Sequence, residues 1–516
     1  MPVTAKPVIY RGHILLGDDP RITALIPNVK RTPSGALLVP HGVEETRLLR
    51  NLGYVVDSPI LHEYDWASSE PFDAQRTTAA MLVANPRSFV LNGLGTGKTR
   101  AALYAFDYRR RRGEVGPMLV VAPLSTLRPT WLREVTMFFP HLRAVVVRGT
   151  PKKRLEQLAS DADIFIINHH GVKTMLPDLR KRKFGFIVLD ELTVYKNKMS
   201  DLWKVTQALV KDVEWVTGMT GTPTPQGPTD AYAQVKLINP TKVPYSYGNF
   251  RERTSVKIND YKWVPKRGWQ DSVQEIMQPS VRFTRDDCFD LPPIQYIDRE
   301  VPLGPKQIAM YHQMANESSV QYASGDIIAA NEADAINKLL QIALGVVYDA
   351  KHNRVMLDGQ ERLNILEEVI EQSASKVLVF TPYKSTLDML YAHVSKRWSC
   401  AAVSGDTLEG ERSSVFGQFQ LTPDPHVIVA HPKCMAHGLT LTEASTVVWF
   451  GPVPSLELYE QANARITRSG QRHSQLIVHL MGTRVEKDIF NRLRNRSAMQ
   501  GVLLDLFKEQ AVADIL

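Results

Sequence analysis

The sequence predicts an α/β protein with two tandem parallel-sheet domains and a small N-terminal α+β domain. From Pro71 to Pro240, short β-branched runs alternate with helical stretches, and a second series of the same kind begins at Val377. This alternation is typical of parallel sheets that are covered by helices on both faces. The length of 516 residues also suggests about three domains of ordinary size.

Residues 1–66 are predicted to form the small N-terminal accessory domain. Ala36 to Pro40 and Tyr54 to Val56 have strand-like composition, and Glu44 to Leu52 has a helical pattern that ends at Gly53. No catalytic pattern occurs in this region. We expect a structural or DNA-presenting appendage.

Residues 67–240 are predicted to form the first parallel-sheet domain. Its expected strands are Ser88 to Leu91, Met118 to Val121, Ala144 to Val147, Ile164 to Ile167, Phe186 to Leu189 and Glu214 to Thr217. An interdomain linker and helical insertion should cover residues 241–350, the second domain 351–490 and a C-terminal helical tail 491–516. The expected strands of the second domain are Val377 to Phe380, Ala401 to Val403, Val427 to Val429, Val447 to Phe450 and Leu476 to Val478.

A glycine-rich loop, Asn92 to Thr99, lies between the first predicted strand and a predicted helix. Its glycines allow backbone N–H groups to turn inward around phosphate oxygens, and the helix N-terminus adds a favourable dipole. We expect Lys98 to reach the β- and γ-phosphates of ATP and the Thr99 hydroxyl to ligate Mg²⁺. The predicted nucleotide-binding residues of the loop are Gly93, Gly95, Thr96, Gly97, Lys98 and Thr99. Asn92 stands where the general pattern has its first glycine.

An acidic pair, Asp190 and Glu191, follows a predicted apolar strand. Alone such a pair indicates a solvated loop, but beside a phosphate loop it predicts that Asp190 holds Mg²⁺ and Glu191 polarises the attacking water. Thr220 to Pro223 follows a further strand and is a candidate for coupling nucleotide state to movement. Gln75 is a candidate for binding the adenine edge, although an ordinary exposed glutamine would also explain it.

Composition indicates a globular protein of a reducing compartment. Hydrophobic residues make up 44% and charged residues 22%, the net charge is +8, and the three cysteines are far apart. These features disfavour a disulfide scaffold or a zinc site. The N-terminus lacks the apolar core of a signal peptide, and the apolar runs are too short to span a bilayer. We therefore expect a cytoplasmic location, without a membrane partner.

The ordered set of motifs resembles that of superfamily-two helicases of the Swi/Snf group, in a compact form more like the bacterial and bacteriophage members. The matching segments are Gln75, Gly93 to Thr99, Val121 to Ser125 with Trp131 to Glu134, Asp190 to Thr193, Thr220 to Pro223, Gly405 to Asp406 with Arg412, His437 to Ala444 and Gln461 to Gln471. The resemblance implies two RecA-like domains and DNA-stimulated ATP hydrolysis with tracking along, or remodelling of, DNA. One departure is Thr193, where the group usually has histidine.

The sixth motif supplies the predicted arginine partners of the phosphate loop. Arg465 and Arg468 are three residues apart, which predicts one face of a helix. We expect Arg468 to act as the arginine finger and Arg465 to contact phosphate beside it, while Gln461 belongs to the same nucleotide-binding motif. ATP would then be contacted by both domains.

DNA contacts are expected mainly on phosphates, with affinity that falls with salt. The candidates are Ser125, Thr126, Arg128, Thr222, Thr381 and Thr440. Trp263 and Trp269 lie among lysines and an arginine, which fits stacking on an exposed base or a wedge at a fork. Small-core packing of both tryptophans is the other interpretation.

The leading hypothesis is a DNA-dependent ATPase or helicase that tracks along or remodels duplex, forked or branched DNA. The alternatives are an RNA helicase, and an ATP-gated nucleic-acid-binding scaffold with little turnover. RNA-specific stimulation of ATP hydrolysis would favour the first alternative. Little turnover with or without duplex DNA would favour the second.

Overall fold

A computed structural model describes most of the chain, which forms two compact units that divide after Cys288. The described residues are 7–66, 70–243, 245–259, 262–288, 292–317, 319–320, 327–328, 332–349, 351, 353–435, 440–468 and 470–497. His437 to Leu439 of the fifth motif and residues 498–516 of the expected C-terminal tail lie outside this set.

The N-terminal region is a small α+β assembly, as predicted. Its elements are β1 (Val8–Tyr10), β2 (His13–Leu16), α1 (Pro20–Leu25), β3 (Lys30–Arg31), β4 (Leu37–Pro40), α2 (Val43–Asn51) and α3 (Ile60–Glu63). The strands form an antiparallel sheet in the order β1-β2-β4-β3. The strand predicted at Tyr54 to Val56 is wrong, because the Arg50 guanidinium donates to the Val56 carbonyl and no neighbouring strand pairs with this segment among the described residues.

This assembly packs against the rest of the first unit through polar aromatic contacts. Tyr108 Oη donates to Glu63 Oε2 at 2.8 Å, and Tyr64 Oη donates to the carboxylate of Asp107. Val43 and Ile60 belong to the same hydrophobic cluster as the strands of the large sheet. These two residues therefore extend the core of the first parallel-sheet domain, whereas the antiparallel sheet has its own hydrophobic cluster, which includes Ile14, Leu37 and Val39.

The large sheet of the first unit is parallel, as predicted. Its elements are α4 (Asp73–Ala84), β5 (Arg87–Val90), α5 (Lys98–Arg111), β6 (Met118–Ala122), α6 (Arg133–Phe138), β7 (Ala144–Val146), α7 (Pro151–Ala159), β8 (Ile164–Asn168), α8 (His169–Arg182), β9 (Phe186–Asp190), α9 (Asp201–Val210), β10 (Trp215–Met219), α10 (Thr229–Ile238), α11 (Tyr247–Thr254), β11 (Ser255–Lys257), β12 (Trp263–Pro265), α12 (Trp269–Ile276) and β13 (Ser280–Val281). The seven strands lie in the order β13-β5-β10-β9-β6-β8-β7, while β11 and β12 form a separate antiparallel hairpin.

The central strands are apolar along their whole length because both faces of the sheet are covered. Every residue of β6 and β10 is buried, and so are the first four residues of β9. Full burial of one aliphatic side chain contributes about 1.5–3 kcal/mol. The continuous β-branched runs in the sequence therefore correspond to strands that are covered on two sides.

The edge strand β13 comes from the range predicted as linker. Ser280 and Val281 pair in parallel with Phe89 and Val90 of β5. Two residues are too short a run to give a strand signal in the sequence. The first sheet therefore includes chain that follows its other strands by about sixty residues.

The second unit contains its own parallel sheet, again as predicted. Its elements are β14 (Ile294–Glu300), α13 (Pro305–Glu317), β15 (Ser319–Val320), β16 (Ile327–Ile328), α14 (Glu332–Ala343), β17 (Val346–Tyr348), β18 (Arg354–Met356), α15 (Gln360–Gln372), β19 (Lys376–Phe380), α16 (Lys384–Val394), β20 (Cys400–Val403), α17 (Glu409–Leu421), β21 (Val427–Ala430), β22 (Ala444–Trp449), α18 (Leu456–Asn463) and β23 (Gln475–Met481). The large sheet has the order β14-β23-β22-β19-β21-β20. Residues 484–497 are helical.

Within the described ranges, each helix is too short or too polar to traverse a lipid bilayer.

Candidate nucleotide and nucleic-acid site

Three predicted site segments of the first unit meet at one edge of its parallel sheet. Val90 of β5 pairs with Met219 of β10, and Met219 pairs in turn with Asp190 of β9. The phosphate loop, the acidic pair and the segment Thr220 to Pro223 begin where these three adjacent strands end. The carboxyl edge of a parallel sheet is where ligands bind in open α/β folds.

The phosphate loop has the backbone that its glycines predict. Gly95 and Gly97 have φ angles of 82° and 77°, in the left-handed region that favours glycine. A Cβ on Gly97 would lie 2.0 Å from Nε2 of Gln75, so a side chain at this position would displace the Gln75 amide from the loop. The 14-residue helix α5 begins directly afterwards at Lys98.

Lys98 and Thr96 are held by the start of the loop. Lys98 Nζ donates to the carbonyls of Asn92 at 2.8 Å and of Gly93 at 3.0 Å. Thr96 Oγ1 donates to the Gly93 carbonyl at 2.8 Å. The lysine ammonium therefore lies within the loop, where it can meet a phosphate with little rearrangement.

Gln75 is buried and contacts the loop, so the interpretation of an ordinary exposed glutamine is wrong. Its Oε1 accepts from the N–H of Phe72 at 3.0 Å and its Nε2 donates to the Gly97 carbonyl at 3.4 Å. Only 2% of the residue is exposed. The side chain joins the start of α4 to the end of the phosphate loop.

Two hydrogen bonds orient the carboxylate of Asp190. Trp131 Nε1 donates to Oδ2 at 3.0 Å, and the N–H of Glu191 donates to Oδ1 at 3.1 Å. Burial raises the pKa of Asp190, while the Trp131 N–H and the nearby Lys98 ammonium oppose that rise. The surroundings fix this carboxylate beside the phosphate loop.

His169 holds the backbone of the same residue. Its Nε2 lies 2.9 Å from the Asp190 carbonyl oxygen, and its ring meets that of Tyr195 edge-on at 5.6 Å. Burial lowers the pKa of His169 to about 4, so the imidazole is neutral near pH 7. A neutral ring with Nε2–H as the donor satisfies this bond.

The backbone after Asp190 is strained. Glu191 has φ 52° and ψ 59°, a left-handed conformation that is uncommon for a residue with a Cβ. The following turn is closed by Val194 N–H donating to the Glu191 carbonyl at 3.1 Å. Backbone strain of this kind occurs at functional sites, where the surrounding structure maintains it. Thr193 in this turn is buried.

The donor set at this edge fits a magnesium ion. The Thr99 hydroxyl follows the phosphate loop on α5, and the Asp190 carboxylate ends the strand two places away in the sheet. Hydroxyl and carboxylate oxygens are hard ligands, and Mg²⁺ is commonly held by one or two such groups together with substrate phosphates. Both predicted ligands therefore belong to the same sheet edge.

The sixth motif in the second unit differs from the helix that its spacing predicted. Helix α18 ends at Asn463, so Arg465 and Arg468 lie in the turn that follows. Arg465 Nε donates back to the Gln461 carbonyl at 2.9 Å, while the Arg465 carbonyl accepts from Leu441 N–H. The Arg465 carbonyl therefore bonds outside the segment, whereas in a continued helix it would accept from an N–H of the next turn.

The two arginines also differ in exposure. Arg465 is 2% exposed, whereas Arg468 is half-buried and its guanidinium donates to Thr440 Oγ1 at 3.3 Å. Gln461 is buried on α18. Gln471, at the end of the motif, donates to the carbonyls of Ala444 and Ile466 and so fixes the turn.

The predicted DNA-contact residues fall into three groups by exposure. Arg128 and Thr440 are exposed, Ser125, Thr222 and Trp263 are half-buried, and Thr126, Thr381 and Trp269 are buried. Trp269 packs in the core of the first unit with Val273 and Ile276 of its own helix. The prediction that Trp269 stacks on a base is therefore wrong for this conformation, and its small-core alternative is confirmed.

Trp263 has a different environment on the hairpin strand β12. The Arg251 guanidinium lies 4.0 Å from its ring centroid. Val256 and Val264 are paired across the hairpin and are 46% and 40% exposed. Exposed aliphatic groups beside a cation–aromatic pair give this hairpin one apolar face and one cationic face.

Sequence reasoning missed Trp131 and His169 as residues that position the acidic pair. The sequence places Trp131 only within one of the segments that carry the family resemblance, and it assigns His169 no role. His169 directly follows β8, so the rule that parallel strands end at one edge could have placed it near Asp190. Trp131 lies 59 residues before Asp190 in a π-helical turn, and no sequence signal indicates its contact.

Comparison with known families finds two adjoining matches. The SNF2-related domain matches residues 83–348, and the helicase conserved C-terminal domain matches residues 361–470. Together they span the loop, the acidic pair and most of the sixth motif.

Several individual proteins are similar to this chain. Putative protein p41 of Acyrthosiphon pisum secondary endosymbiont phage 1 is 27% identical, over 82% of this chain and 95% of the phage protein. The SWI/SNF-related matrix-associated actin-dependent regulator of chromatin subfamily A-like protein 1 of Xenopus tropicalis is 25% identical over 77% of this chain. The human DNA annealing helicase and endonuclease ZRANB3 is 22% identical over 84%. This chain spans 40% of the length of each of these two larger proteins.

One solved structure with a similar chain is the Sulfolobus solfataricus SWI2/SNF2 ATPase core in complex with dsDNA. It is 21% identical, with a TM-score of 0.42, over 86% of this chain and 95% of the archaeal chain.

Proposed function

Because the chain belongs to the SNF2-related family of helicase proteins, we propose that it is a DNA-dependent ATPase that tracks along or remodels duplex, forked or branched DNA. The observation that carries this proposal is the meeting of phosphate loop, acidic pair and Thr220 segment at the ends of three adjacent parallel strands. Each segment alone could be an ordinary turn or solvated loop. Their convergence on one edge favours a nucleoside triphosphate site.

In the proposed site, the inward N–H groups of the loop bind phosphate oxygens and Lys98 neutralises the β- and γ-phosphates. Thr99 and Asp190 would hold Mg²⁺, which when bound neutralises charge shared by these phosphates. Glu191 orients and polarises the attacking water. Gln75 contacts the adenine edge through the amide that also reaches Gly97.

The second unit contributes the arginines. We assign Arg468 as the finger that stabilises the charge of the γ-phosphoryl group in the transition state. Its partial exposure supports this choice, because a guanidinium must reach a phosphate held by another unit. Arg465 is better suited to a fixed contact, since burial and its bond to Gln461 restrict it.

DNA binding is proposed to use phosphate contacts from both units. The accessible candidates are Ser125, Arg128, Thr222, Trp263 and Thr440. The buried hydroxyls of Thr126 and Thr381 are poorly suited to direct contact, since Thr126 Oγ1 already donates to the Pro123 carbonyl at 3.0 Å. Contacts of this kind give weak sequence dependence and strong salt dependence.

A scaffold with little turnover is the second candidate, and one observation favours it. Thr193 replaces the histidine of the family pattern and is buried immediately after the strained acidic pair. Loss of that imidazole would weaken communication between ATP and DNA sites. Measurement of ATP turnover with and without nucleic acid separates the two candidates.

The test is ATP hydrolysis by the full chain with single-stranded, duplex, forked and four-way DNA, and with duplex RNA, at one salt concentration. The proposal predicts turnover that rises with duplex-containing DNA and not with RNA. Stimulation by RNA alone would replace it with an RNA helicase. Tight ATP binding without turnover on any nucleic acid would favour the scaffold.

A further inference from the structure

The first residue of the phosphate loop, Asn92, uses both ends of its side-chain amide. Nδ2 donates to Thr78 Oγ1 at 2.9 Å, and Oδ1 accepts from the N–H of Phe283 at 2.9 Å. The residue is 1% exposed. The departure from glycine at this position therefore creates a buried bridge between two segments that are far apart in sequence.

Phe283 belongs to a bracing segment, residues 279–285, that runs beside β5 and the start of the loop. The N–H groups of Phe89, Leu91 and Gly93 donate to the carbonyls of Pro279, Val281 and Phe283 at 3.0, 2.9 and 2.8 Å. The Arg282 guanidinium also donates to the Leu91 carbonyl. The chain passes into the second unit shortly after this segment, beyond Cys288.

On its other side, Asn92 is tied to helix α4. Thr78 lies on that helix and its hydroxyl donates to the Ala74 carbonyl at 2.6 Å, which leaves its oxygen to accept from Asn92. The same helix carries Gln75, whose amide donates to the Gly97 carbonyl at the far end of the loop. Helix α4 therefore contacts both ends of the phosphate loop.

We infer that Asn92 is a positioning residue that sets the start of the phosphate loop and links nucleotide binding to the bracing segment. This inference rests on the proposed function, since it assigns the loop to nucleotide phosphates. A glycine or alanine at position 92 would leave the N–H of the partly buried Phe283 without its acceptor. The loop backbone between Asn92 and Gly93 would then lose its fixed position relative to both neighbours.

If Asn92 links the loop to the bracing segment, nucleotide bound at the loop should affect residues 279–285, which is not expected of a residue that only stabilises the fold. Phosphates bound by the loop restrain Gly93, whose N–H is bonded to the Phe283 carbonyl, and restrain Asn92, whose side chain is bonded to the Phe283 N–H. Nucleotide should therefore slow exchange of the amides in residues 279–285. None of the predicted nucleotide contacts lies in this segment, and these bonds join it to the loop.

The experiment measures Mg·ADP affinity by calorimetry and amide hydrogen exchange with and without Mg·ADP on the full chain. We expect Asn92→Ala to weaken ADP binding about tenfold, the size expected for loss of one or two hydrogen bonds. The variant should also lose the ADP-dependent protection of residues 279–285. Asn92→Asp keeps the acceptor for Phe283 and should retain that protection.

Thr78→Val removes the other partner at nearly constant volume. It should weaken ADP binding. Asn92→Ala should lower ADP affinity less in the Thr78→Val protein than in the native chain, because the two residues share a bond. Ser88→Ala is the matched control. It removes a buried hydroxyl on β5, four residues before Asn92, that lies 3.4 Å from Thr217 Oγ1 on the neighbouring strand β10, and it should leave ADP affinity unchanged.

Three outcomes would overturn the inference. The first is that Mg·ADP leaves the amide hydrogen exchange of residues 279–285 unchanged in the native chain, which can be measured without any variant. The second is Asn92→Ala protein that is less heat-stable but binds ADP with native affinity. A native chain that binds no ADP would refute the proposed function and this inference together, whereas the first two outcomes leave the proposed function standing.

Discussion

At the residue scale, the acidic pair depends on side chains outside its own motif. Asp190 receives a hydrogen bond from Trp131 on its carboxylate and contacts His169 through its carbonyl. Mutation of a neighbour that orients a metal ligand typically lowers metal affinity or activity about 10- to 100-fold, and under the proposed function Asp190 is such a ligand.

Trp131→Phe should weaken activation of ATP hydrolysis by Mg²⁺ about 10- to 100-fold. The indole N–H holds down the pKa of Asp190 against burial, so its loss raises that pKa and moves the acidic limb of the pH–rate profile to higher pH. Measured Mg²⁺ titrations and pH profiles of the variant check this. A lower melting temperature with both profiles unchanged would show that Trp131 serves packing alone.

His169→Gln should reduce the loss of stability on acidification. The folded pKa of about 4 lies below the unfolded value of about 6.5, so the unfolded chain binds more protons between these limits. Stability from the neutral ring is complete above about pH 6.5 and falls toward pH 4, by on the order of 2 kcal/mol at pH 5.

The check is the melting temperature of native, His169→Gln and His170→Gln proteins at pH 7.5 and pH 5. His170 is exposed, so its replacement should leave the pH dependence as in the native chain. Equal pH dependence in all three proteins would contradict the assignment of His169.

At the scale of elements, helix α5 is flanked by two glycines that have the same left-handed backbone but different surroundings. Gly97 before the helix and Gly113 after it both have positive φ, 77° and 71°. A Cβ on Gly97 would collide with Gln75, whereas a Cβ on Gly113 would meet nothing within 4 Å. The helix therefore offers a matched pair of substitutions.

Gly97→Ala should abolish nucleotide binding, because the clash displaces either the loop or Gln75. Gly113→Ala should cost about 1 kcal/mol of stability for its left-handed backbone and leave nucleotide affinity unchanged. Calorimetric titration with Mg·ADP and thermal melts of both variants check the pair. Native ADP affinity in Gly97→Ala would contradict the proposed phosphate loop.

Trp263 on the hairpin strand β12 and Trp269 on the following helix α12 give a second pair. Trp263→Ala should lower affinity for single-stranded and forked DNA by about 1–3 kcal/mol, the value of one stacked base. Trp269→Ala should instead destabilise the first unit by about 3–5 kcal/mol, because it empties a buried site. DNA titrations and melts separate these effects, and unchanged DNA affinity in Trp263→Ala would remove this residue from the DNA surface.

The strands could be predicted from sequence because their burial leaves a local signal. The six strands expected between Pro71 and Pro240 match β5 to β10 within about two residues, since most residues of these strands are buried. Tyr54 to Val56 has the same composition but pairs with a side chain of Arg50 instead of another strand. Amino-acid composition indicates that a segment is buried, but it does not indicate which strand or side chain the segment pairs with.

Details of the site depended on long-range contacts that the sequence does not record. The turn at Arg465 and Arg468 is set by Leu441 and Gln471, and the Asp190 carboxylate by Trp131. The motifs predicted which strands end at the site. They could not predict that Asn92 joins the loop to the segment around Phe283.

At the scale of the whole molecule, the predicted catalytic residues are divided between two separately folded units. Lys98, Asp190 and Glu191 belong to the unit that ends at Cys288, and the arginines of the sixth motif belong to the other. Each unit has its own parallel sheet and core. Under the proposed function, hydrolysis requires a contribution from both units, whereas nucleotide binding relies mainly on the first.

Arg468→Ala tests this division most directly, through Mg·ADP affinity and DNA-stimulated ATP turnover measured on the same protein. Arg484→Ala is the charge-matched control, because the Arg484 side chain is 94% exposed in the same unit. Arg468→Ala should bind ADP like the native chain but hydrolyse ATP about 10³-fold more slowly or worse, while Arg484→Ala should hydrolyse ATP normally. Turnover by Arg468→Ala close to that of the control would contradict the assignment of Arg468 as the arginine finger.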